Sequence, residues 1–210
     1  MLKSLEKLAL SRNINMRFSK KRFDSFSDED LMAELSKGEK LAFDELYNRY
    51  AGILFGYFNK MLWRDREKAE DLVHDIFAKI IVNPDAFDIT RSFKTWLFSV
   101  ACNMCKNEYK RKEVRKNTVL GVDNHHSVKS DDNVFDEVQN NMFMSAFDKG
   151  IAQLDDKHRD VFALRHLQGF SLKEIADVLE INEGTVKSRL FYATKQLAEK
   201  LKEFKLVLTN

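Results

Sequence analysis

Proline, glycine and cysteine are scarce in this chain: its 210 residues include one Pro, seven Gly and two Cys. Because Pro and Gly punctuate turns, their scarcity excludes a fold of many short strands and favours long helices. No apolar stretch approaches the roughly 20 residues that a membrane-spanning helix needs. The basic N-terminus, MLKSLEKLALSRNINMRFSKKRF, lacks the continuous apolar segment of a secretory signal. We therefore expect a nearly all-α, cytoplasmic protein.

Net charge is also small, and it is unevenly distributed. The formal net charge is +2 although 32% of the residues are charged, so the chain is not a bulk polycation. Residues 1–23 and 106–116 are basic, whereas residues 123–137 are acidic. This distribution is typical either of solvated helix faces or of a protein whose partner is polyanionic at chosen places.

The two cysteines form a single Cys102-Asn-Met-Cys105 motif. No second pair follows, and His125 and His126 lie downstream in a polar stretch. Because both cysteines fall inside an apolar helical pattern, we predict that they are small buried side chains. A redox or zinc role is the alternative. We predict no catalytic residue, metal site or cofactor.

Apolar periodicity divides the chain into two helical domains. Ser27, followed by three acidic residues, is a candidate N-cap that opens the first domain. Residues 113–134 lack periodicity and are rich in polar residues, which predicts a linker. The expected divisions are a basic N-terminal extension (1–26), a first domain (27–112), the linker (113–134) and a second domain (135–206). Each domain has enough apolar periodicity for its own core.

The second domain contains a helix-turn-helix pattern. Ser171 and Glu174 form a capping-box signature that opens a short helix, and Asn182 is a candidate N-cap for the longer helix that follows. We expect Ala176, Ile181 and Val186 to form the small hydrophobic core of the helix-turn-helix motif. Glu180 stands where a glycine is often found, which leaves a differently bent turn as an alternative.

The first turns of the longer helix are predicted to form a DNA-reading surface. A recognition helix enters the major groove with its N-terminal residues at the base edges. Lys187 and Arg189 can reach guanine edges or phosphates, Ser188 can hydrogen-bond either, and Phe191 can contact a thymine methyl group. A solvated helix end is the alternative interpretation.

In the first domain, aromatic and basic residues alternate along one predicted helix, FKTWLFSVACNMCKNEYKR. Rings and cations together are typical of single-stranded nucleic-acid binding, because bases stack on rings at about 1–3 kcal/mol each. That gain can offset the cost of a few kcal/mol for extracting a base from a duplex. The alternative is that these rings belong to the core. The residues concerned are Phe93, Lys94, Trp96, Phe98, Lys106, Tyr109, Lys110 and Arg111.

Four stretches resemble a bacterial sigma factor of the sigma-70 class, in its small extracytoplasmic-function (ECF) type. They are DLMAELSKGEKLAFDELYNRY, AEDLVHDIFAKI, FKTWLFSVACN and IAQLDDKHRDVFALRHLQGFSLKEIADVLEINEGTVKSRLFYATKQL. The resemblance covers about residues 27–112 and 135–202, and its motifs occur in the family's order and spacing. It implies an all-α protein in which sigma region 2 and a region 4 helix-turn-helix are joined by a flexible linker.

The resemblance also implies a function. The chain would be a dissociable, non-enzymatic subunit that directs core RNA polymerase to promoters and melts them, and it would be a monomer when free. Region 2 would bind the clamp coiled coil of the polymerase and the −10 element, while region 4 would bind the flap and the −35 element. An anti-sigma factor is a further candidate partner, because many relatives are held inactive by one.

The residues that match the family's motifs fall into three sets. Polymerase binding is assigned to Glu70, Asp71, Leu72, His74, Asp75 and Phe77. Binding and melting of the −10 element is assigned to Phe87, Arg91, Ser92, Phe93, Trp96, Asn103, Lys106, Lys110 and Arg111. Binding of the −35 element is assigned to Arg165, Lys173, Lys187, Ser188, Arg189, Phe191 and Tyr192. Two positions depart from the family's pattern: His74 replaces the usual Gln, and Tyr192 replaces a residue that is often basic.

Three other classes of protein remain as alternatives. One is a stand-alone helix-turn-helix transcriptional regulator that binds duplex DNA as a dimer. Another is a redox or metal adaptor built on Cys102 and Cys105. The last is an RNA-binding protein that uses the aromatic and basic helix.

Overall fold

The structure, a computed structural model, describes residues 23–118 and 135–208. Within these two ranges it contains eight α-helices and no strand. They are α1 (Asp28–Ser36), α2 (Lys40–Met61), α3 (Arg66–Val82), α4 (Phe93–Thr118), α5 (Phe135–Ala152), α6 (Asp156–Phe162), α7 (Leu172–Leu179) and α8 (Glu183–Leu208). A 3-10 turn, Pro84–Ala86, follows α3, and a π-helical turn, Ala163–Leu167, continues α6. No helix in the described ranges has the length and apolarity to cross a membrane.

The helix starts that the sequence predicts are confirmed. The amide of Asp30 donates to Ser27 Oγ over 3.1 Å at the start of α1. Ser171 and Glu174 form a reciprocal capping box at α7, and the amide of Thr185 donates to Asn182 Oδ1 over 2.7 Å at α8. Each cap satisfies an amide that has no partner within its helix, and this sets where the helix begins.

Two helices run further than periodicity predicts. Helix α4 continues to Thr118, so the first residues of the predicted 113–134 linker are helical, and α8 ends at Leu208 rather than near Phe204. The end of α4 is rich in Lys, Arg and Glu, which are good helix formers without any apolar stripe. Residues 119–134, which include His125 and His126, and residues 1–22 of the predicted extension lie outside the described residues.

Residues 23–118, here called the N-terminal module, pack around the apolar faces of α1 to α4. Buried residues of α2 such as Leu46, Leu54 and Phe58 form its centre with Ile76 of α3 and Leu97 of α4. The chain that leads into α1 is held by Arg49 of α2. Its guanidinium donates to the carbonyl oxygens of residues 23, 24 and 26 and forms an ion pair with Asp28.

Residues 135–208, here called the C-terminal module, contain the predicted helix-turn-helix. Helices α7 and α8 pack together at Ala176 and Val186, both of which are buried. A second cluster, formed by Ile151, Leu154, Phe162, Ala193 and Leu197, joins α5 and α6 to α8. Gly150 lies against α8 so closely that a Cβ atom there would be 2.5 Å from Leu197 Cδ1.

The two modules also share a buried cluster, which periodicity did not predict. Val161, Leu164, Phe170 and Ile175 of the C-terminal module belong to the same cluster as the core of the N-terminal module. Phe98 of α4 and Phe170 pack edge to face, with ring centroids 5.2 Å apart. Periodicity identifies apolar faces but not the element that covers each of them.

Candidate nucleic-acid and protein-binding surfaces

The loop between α3 and α4 is ordered by its own hydrogen bonds. Asp88 Oδ1 accepts from the amide of Thr90 over 3.0 Å and from Thr90 Oγ1 over 2.7 Å. These bonds lower the pKa of Asp88, the side-chain bond more than the backbone bond. Arg91 and Ser92 are exposed, and the amide of Thr95 donates to Ser92 Oγ over 3.3 Å, so Ser92 also caps α4. The loop is therefore a preformed polar surface.

Three aromatic side chains pack together on the core side of this loop. Phe87 and Phe93 are buried, with ring centroids 5.4 Å apart, and Trp96 is half-buried against both. The core interpretation of the rings on α4 thus holds for Phe93. Phe87, which was predicted only as a −10 contact, is buried as well, so neither ring has an open face for a base. Trp96 keeps part of its surface accessible, so it is the ring of this group that a base can reach.

Beyond Trp96, helix α4 presents a polar stripe. Asn103 and Lys110 are exposed and follow Trp96 at seven-residue intervals, which places all three on one side of the helix. Half-buried Lys106 lies beside them, with its Nζ atom 3.4 Å from Asn103 Oδ1. Arg111 is exposed and pairs with Glu108 over 2.6 Å. This arrangement offers a ring, an amide and cations in sequence along a single face.

One apolar residue at this surface was missed by the sequence analysis. Ile89 is 54% exposed at the tip of the loop, between Asp88 and Thr90. An exposed Ile at the tip of an ordered polar loop adds an apolar contact beside Arg91. The sequence feature that could have identified Ile89 is its position outside every predicted helix, between the Asp and Thr of an Asp-x-Thr turn.

The turn of the helix-turn-helix has the left-handed backbone conformation that a glycine would adopt there. Glu180 takes the left-handed conformation, with φ 55° and ψ 47°, so the alternative of a differently bent turn is wrong. Such a conformation costs a non-glycine residue about 1–2 kcal/mol. The amides of Glu180 and Ile181 donate to the Ala176 carbonyl on one side of the turn, and Asn182 caps α8 on the other.

The exposed face of α8 carries most of the residues predicted to bind the −35 element. Lys187 and Ser188 are exposed, as are Phe191 and Tyr192, which are 64% and 52% exposed and pack edge to face at 5.5 Å. The Ser188 hydroxyl donates to the carbonyl of residue 185 over 3.0 Å. Large exposed aromatic side chains on a helix are costly to leave in water, which favours a bound partner at this face.

The other three residues predicted for the −35 element lie in different settings. Lys173 is exposed in the first turn of α7, and Arg165 is exposed while donating to the Phe170 carbonyl over 2.8 Å. Arg189 is half-buried, and its charge lowers the pKa of Asp160, which points into the protein. Arg189 is therefore less exposed to solvent than Lys187 and Ser188 on the same helix.

Helix α3 presents an acidic face. Glu70, Asp71, His74 and Asp75 are exposed at the spacing of one helical side, and Glu70 pairs with Arg66 over 2.9 Å. Leu72 and Phe77, which belong to the same predicted set, are buried instead. The Phe77 ring packs against Tyr47 at 4.7 Å between centroids. These two residues position the acidic face from beneath it.

The cysteines are buried, as the sequence predicts. Cys102 and Cys105 are free thiols inside α4, and Tyr57 Oη lies 3.1 Å from Cys102 Sγ. Burial raises the pKa of Cys102 to about 12 and that of Cys105 well above its ordinary value. Among the described residues no three His, Cys, Asp or Glu side chains form a group that could hold a metal ion.

Comparison with known proteins agrees with this division into two modules. The family model described as "Sigma-70 region 2" matches residues 46–115, and the family model described as "Sigma-70, region 4" matches residues 145–197. The chain is 35% identical to the ECF RNA polymerase sigma factor SigL of Mycobacterium tuberculosis, over 75% of this chain and 88% of SigL. It is 28% identical to the ECF sigma factor SigW of Bacillus subtilis, over 81% of this chain and 94% of SigW.

A solved structure shares the fold. The sigma factor RpoE of Bartonella quintana, solved in complex with the anti-sigma factor NepR, is 24% identical with a TM-score of 0.62. The match covers 76% of this chain and 96% of RpoE. The chain belongs to the sigma-70 family of RNA polymerase sigma factors. Within that family it is an ECF sigma factor, which directs RNA polymerase to promoters at the initiation of transcription.

Proposed function

We propose that promoter recognition by this sigma factor is divided among three surfaces of the chain. The N-terminal module, with the Phe87–Ser92 loop and α4, captures the opened −10 element. The C-terminal module reads the −35 duplex with α8. The acidic face of α3 binds core polymerase. The supporting observation is the stripe Trp96, Asn103 and Lys110 on α4, beside an ordered loop with exposed polar side chains.

Opened DNA suits the α4 stripe better than duplex DNA does. A half-exposed indole offers a stacking surface, an exposed amide can pair with a base edge, and cations follow the backbone. Phe87 and Phe93 contribute rigidity rather than contact because they are buried. Extraction of a base would therefore be driven by stacking and hydrogen bonds, without nucleotide hydrolysis, and the chain has no catalytic role of its own.

Duplex DNA suits the exposed face of α8. Lys187 and Ser188 stand in the first turns of the helix, where a recognition helix meets base edges, and Lys173 can contact phosphate from α7. Phe191 and Tyr192 would add apolar contacts to thymine methyl groups or sugars. Tyr192 stands where the family often has a basic residue, so this helix exchanges one cationic contact for an aromatic one.

The remaining contacts involve proteins. Glu70, Asp71, His74 and Asp75 would bind a basic surface on the polymerase clamp, and the C-terminal module would bind its flap. The chain would act in the cytoplasm, as a monomer when free. An anti-sigma factor is a further proposed partner, because the structurally similar RpoE was solved with one.

These assignments are tested by transcription with purified core polymerase on a library of genomic fragments, followed by mapping of transcript starts. Asn103→Ala should reduce promoter opening, measured by permanganate reactivity of unpaired thymines, at least tenfold while co-purification with polymerase is unchanged. Asp75→Lys should reduce co-purification at least tenfold. Asp44→Lys, a matched change at an exposed acid of α2, should change neither.

Two outcomes would overturn the proposal. One is the absence of any promoter-dependent transcript, combined with tight binding of the free chain to duplex DNA, which would favour a stand-alone regulator. The other is equal loss of polymerase binding in Asn103→Ala and Asp75→Lys, which would contradict the division among surfaces.

A further inference from the structure

Helix α1 reaches the start of α4 through a single side chain. The amide of Phe93, the first residue of α4, donates to Glu29 Oε1 over 2.8 Å. The two residues are 64 positions apart in the chain, so this is a tertiary hydrogen bond and not a local cap. Phe93 is buried and Glu29 is half-buried. A hydrogen bond to a carboxylate is about twice as strong as one between neutral groups, so this bond is a firm link between the two helices.

The start of α4 has two acceptors for its amides, one local and one remote. The first amides of a helix have no partner within it and need acceptors from elsewhere. The amide of Thr95 donates to Ser92 Oγ over 3.3 Å, and Ser92 belongs to the Phe87–Ser92 loop itself. Glu29 belongs to a different helix, and its carboxylate also lies at the positive end of the α4 dipole. Glu29 therefore ties the first residue of α4 to a part of the module outside the loop.

Glu29 is kept in place by its neighbour in the chain. Asp28 accepts from Arg49 Nη1 over 2.8 Å and from the hydroxyl group of Tyr50. The Tyr50 ring in turn packs edge to face on the Phe93 ring, with centroids 5.4 Å apart. The first turn of α1 is thus fastened to α2 by Asp28 and to α4 by Glu29.

The residues next to this bond are those proposed to capture the −10 element. Ser92 immediately precedes Phe93, and Trp96 follows it by about one helical turn. The Trp96 ring packs against Phe93 with centroids 5.8 Å apart, so the direction of its accessible face depends on where Phe93 lies. On the other side of the loop, the amide of Arg91 donates to the Asp88 carbonyl over 3.0 Å.

We propose that Glu29 is a positioning residue for capture of the opened −10 strand. It acts through the amide of Phe93 and touches no base, and its consequence for DNA rests on the proposed function. A loop that is already ordered loses less conformational entropy when a base enters it. Loss of the carboxylate frees the start of α4, so the loop and the Trp96 face sample several orientations. The opened strand then binds more weakly and with less discrimination among bases.

The test separates capture of the −10 strand from the other functions of the chain. The full-length protein is assembled with core polymerase, and the DNA comes from a promoter mapped in the transcription assay above. Glu29→Ala should weaken binding of a fluorescent single-stranded −10 oligonucleotide at least tenfold. It should also reduce the preference for the native strand over its single-base variants. Co-purification with polymerase and binding of the −35 duplex should change less than twofold.

Three further variants distinguish positioning from a general loss of stability. Glu29→Gln keeps an oxygen that can accept the amide of Phe93, and it should bind the −10 strand within threefold of the unsubstituted chain. Glu29→Asp keeps the charge but is one methylene shorter, so it should behave like Glu29→Ala. Glu34→Ala is the matched control, because Glu34 is a half-buried glutamate of α1 that pairs with Lys37 over 2.8 Å at the end of the same helix. It should leave all three kinds of binding unchanged.

Hydrogen exchange in the free chain measures the bond without DNA or polymerase. The amide of Phe93, resolved by NMR, should exchange at least tenfold faster in Glu29→Ala than in the unsubstituted chain. Glu29→Gln should restore most of the protection, and Glu34→Ala should not alter it.

The outcomes separate this proposal from the proposed function. Normal capture of the −10 strand by Glu29→Ala, or no rescue by Glu29→Gln, would overturn the positioning role. Equal loss of −10, −35 and polymerase binding in Glu29→Ala would also overturn it, because Glu29 would then serve only the stability of the module. If the unsubstituted complex binds no −10 strand, the proposed function fails. An unprotected Phe93 amide in the unsubstituted chain would instead overturn the positioning role.

Discussion

The guanidinium of Arg159 lies over the ring of Tyr109, 4.6 Å from its centroid, although the two residues belong to different modules. This contact places Asp160, the next residue, against α4. A carboxylate enclosed in this way has lost most of its hydration, and the charges of Lys106, Arg159 and Arg189 compensate for part of the loss. The contact between modules is therefore sensitive to the protonation of Asp160.

Mild acid is expected to stabilise the contact between the modules. Desolvation raises the pKa of Asp160 to about 7, against the charges of Lys106 and Arg159, which lower it. Unfolding would return the carboxylate to water, where its pKa is about 3.9. Folding therefore takes up a proton between these two values, and the stability that this proton gives is lost as the pH rises through about 7. Through Asp160 alone, the free energy of unfolding should be about 1.4 kcal/mol higher at pH 6 than at pH 8 and change little above pH 8.

The measurement is urea denaturation at pH 6 and pH 8 of the unsubstituted protein and of Asp160→Asn. The groups that face Asp160 are Tyr57, Cys102, Cys105, Lys106 and Tyr109 of the N-terminal module and Asp156, Arg159 and Arg189 of its own. Asp160→Asn should lack this part of the pH response; an equal response in both proteins would refute the assignment.

Replacement of Glu180 by glycine should stabilise the C-terminal module. Glu180 holds φ 55°, which costs a residue with a Cβ atom about 1–2 kcal/mol. Glycine removes that cost but loses about 0.5–1 kcal/mol through the greater freedom of the unfolded chain. The expected gain in the free energy of unfolding is therefore between zero and about 1.5 kcal/mol, measured by urea denaturation.

Asp177→Gly provides the matched control for that substitution. Asp177 is exposed within α7, where glycine has no conformational advantage, so this variant should lose about 0.5–1 kcal/mol. Equal destabilisation by both changes would show that the left-handed conformation of Glu180 carries no strain.

Local features of this fold were predictable from sequence, and the contact between modules was not. The capping residues Ser27, Ser171 and Asn182 act on amides three residues away, so their signal lies within one helical turn. The bond from Lys94 to Gln168 joins positions 74 residues apart. Nothing in the local pattern distinguishes Lys94, or Arg159, from a solvated side chain on the same helix.

Prediction of the candidate surfaces from the sequence meets the same limit. Periodicity separates one helix face from another, and it correctly indicated that Phe93 could be a core residue. The resemblance to the family, rather than periodicity, grouped exposed Asp71 with buried Leu72 as contacts, because the family motif includes both. Periodicity also missed Ile89, which is exposed between the two hydrogen-bonded residues of the Asp88–Thr90 turn.

Two glycines in helices should respond differently to alanine. Nothing lies within 4 Å of a Cβ atom built at Gly56, so Gly56→Ala should stabilise α2 by about 0.5–1 kcal/mol through helix propensity. At Gly150 the same atom would be 2.5 Å from Leu197 Cδ1, so the gain should be cancelled by displacement of that side chain. Urea denaturation of both variants measures the difference, and equal stabilisation would contradict the tight packing of α5 on α8.

Loss of Lys187 should weaken use of the −35 element in a salt-dependent way. Lys187 is exposed in the first turns of α8, where a cation can contact a phosphate or a guanine edge. If it contacts phosphate, Lys187→Ala should reduce the slope of log affinity against log salt concentration by about 1, equally for all promoter sequences. A contact to a base edge would instead relax sequence preference at one position and cost about 1–3 kcal/mol there.

The measurement is promoter binding by the complex with core polymerase across a salt series, on the native −35 sequence and on single-base variants of it. Lys40→Ala, at the start of α2 in the other module, is the control for removal of one exposed lysine and should leave both the slope and the preference unchanged. If Lys187→Ala behaves like this control on every DNA, α8 does not meet the −35 duplex through its first turns. The exposed pair Phe191 and Tyr192, further along the same face, would then be the next residues to substitute.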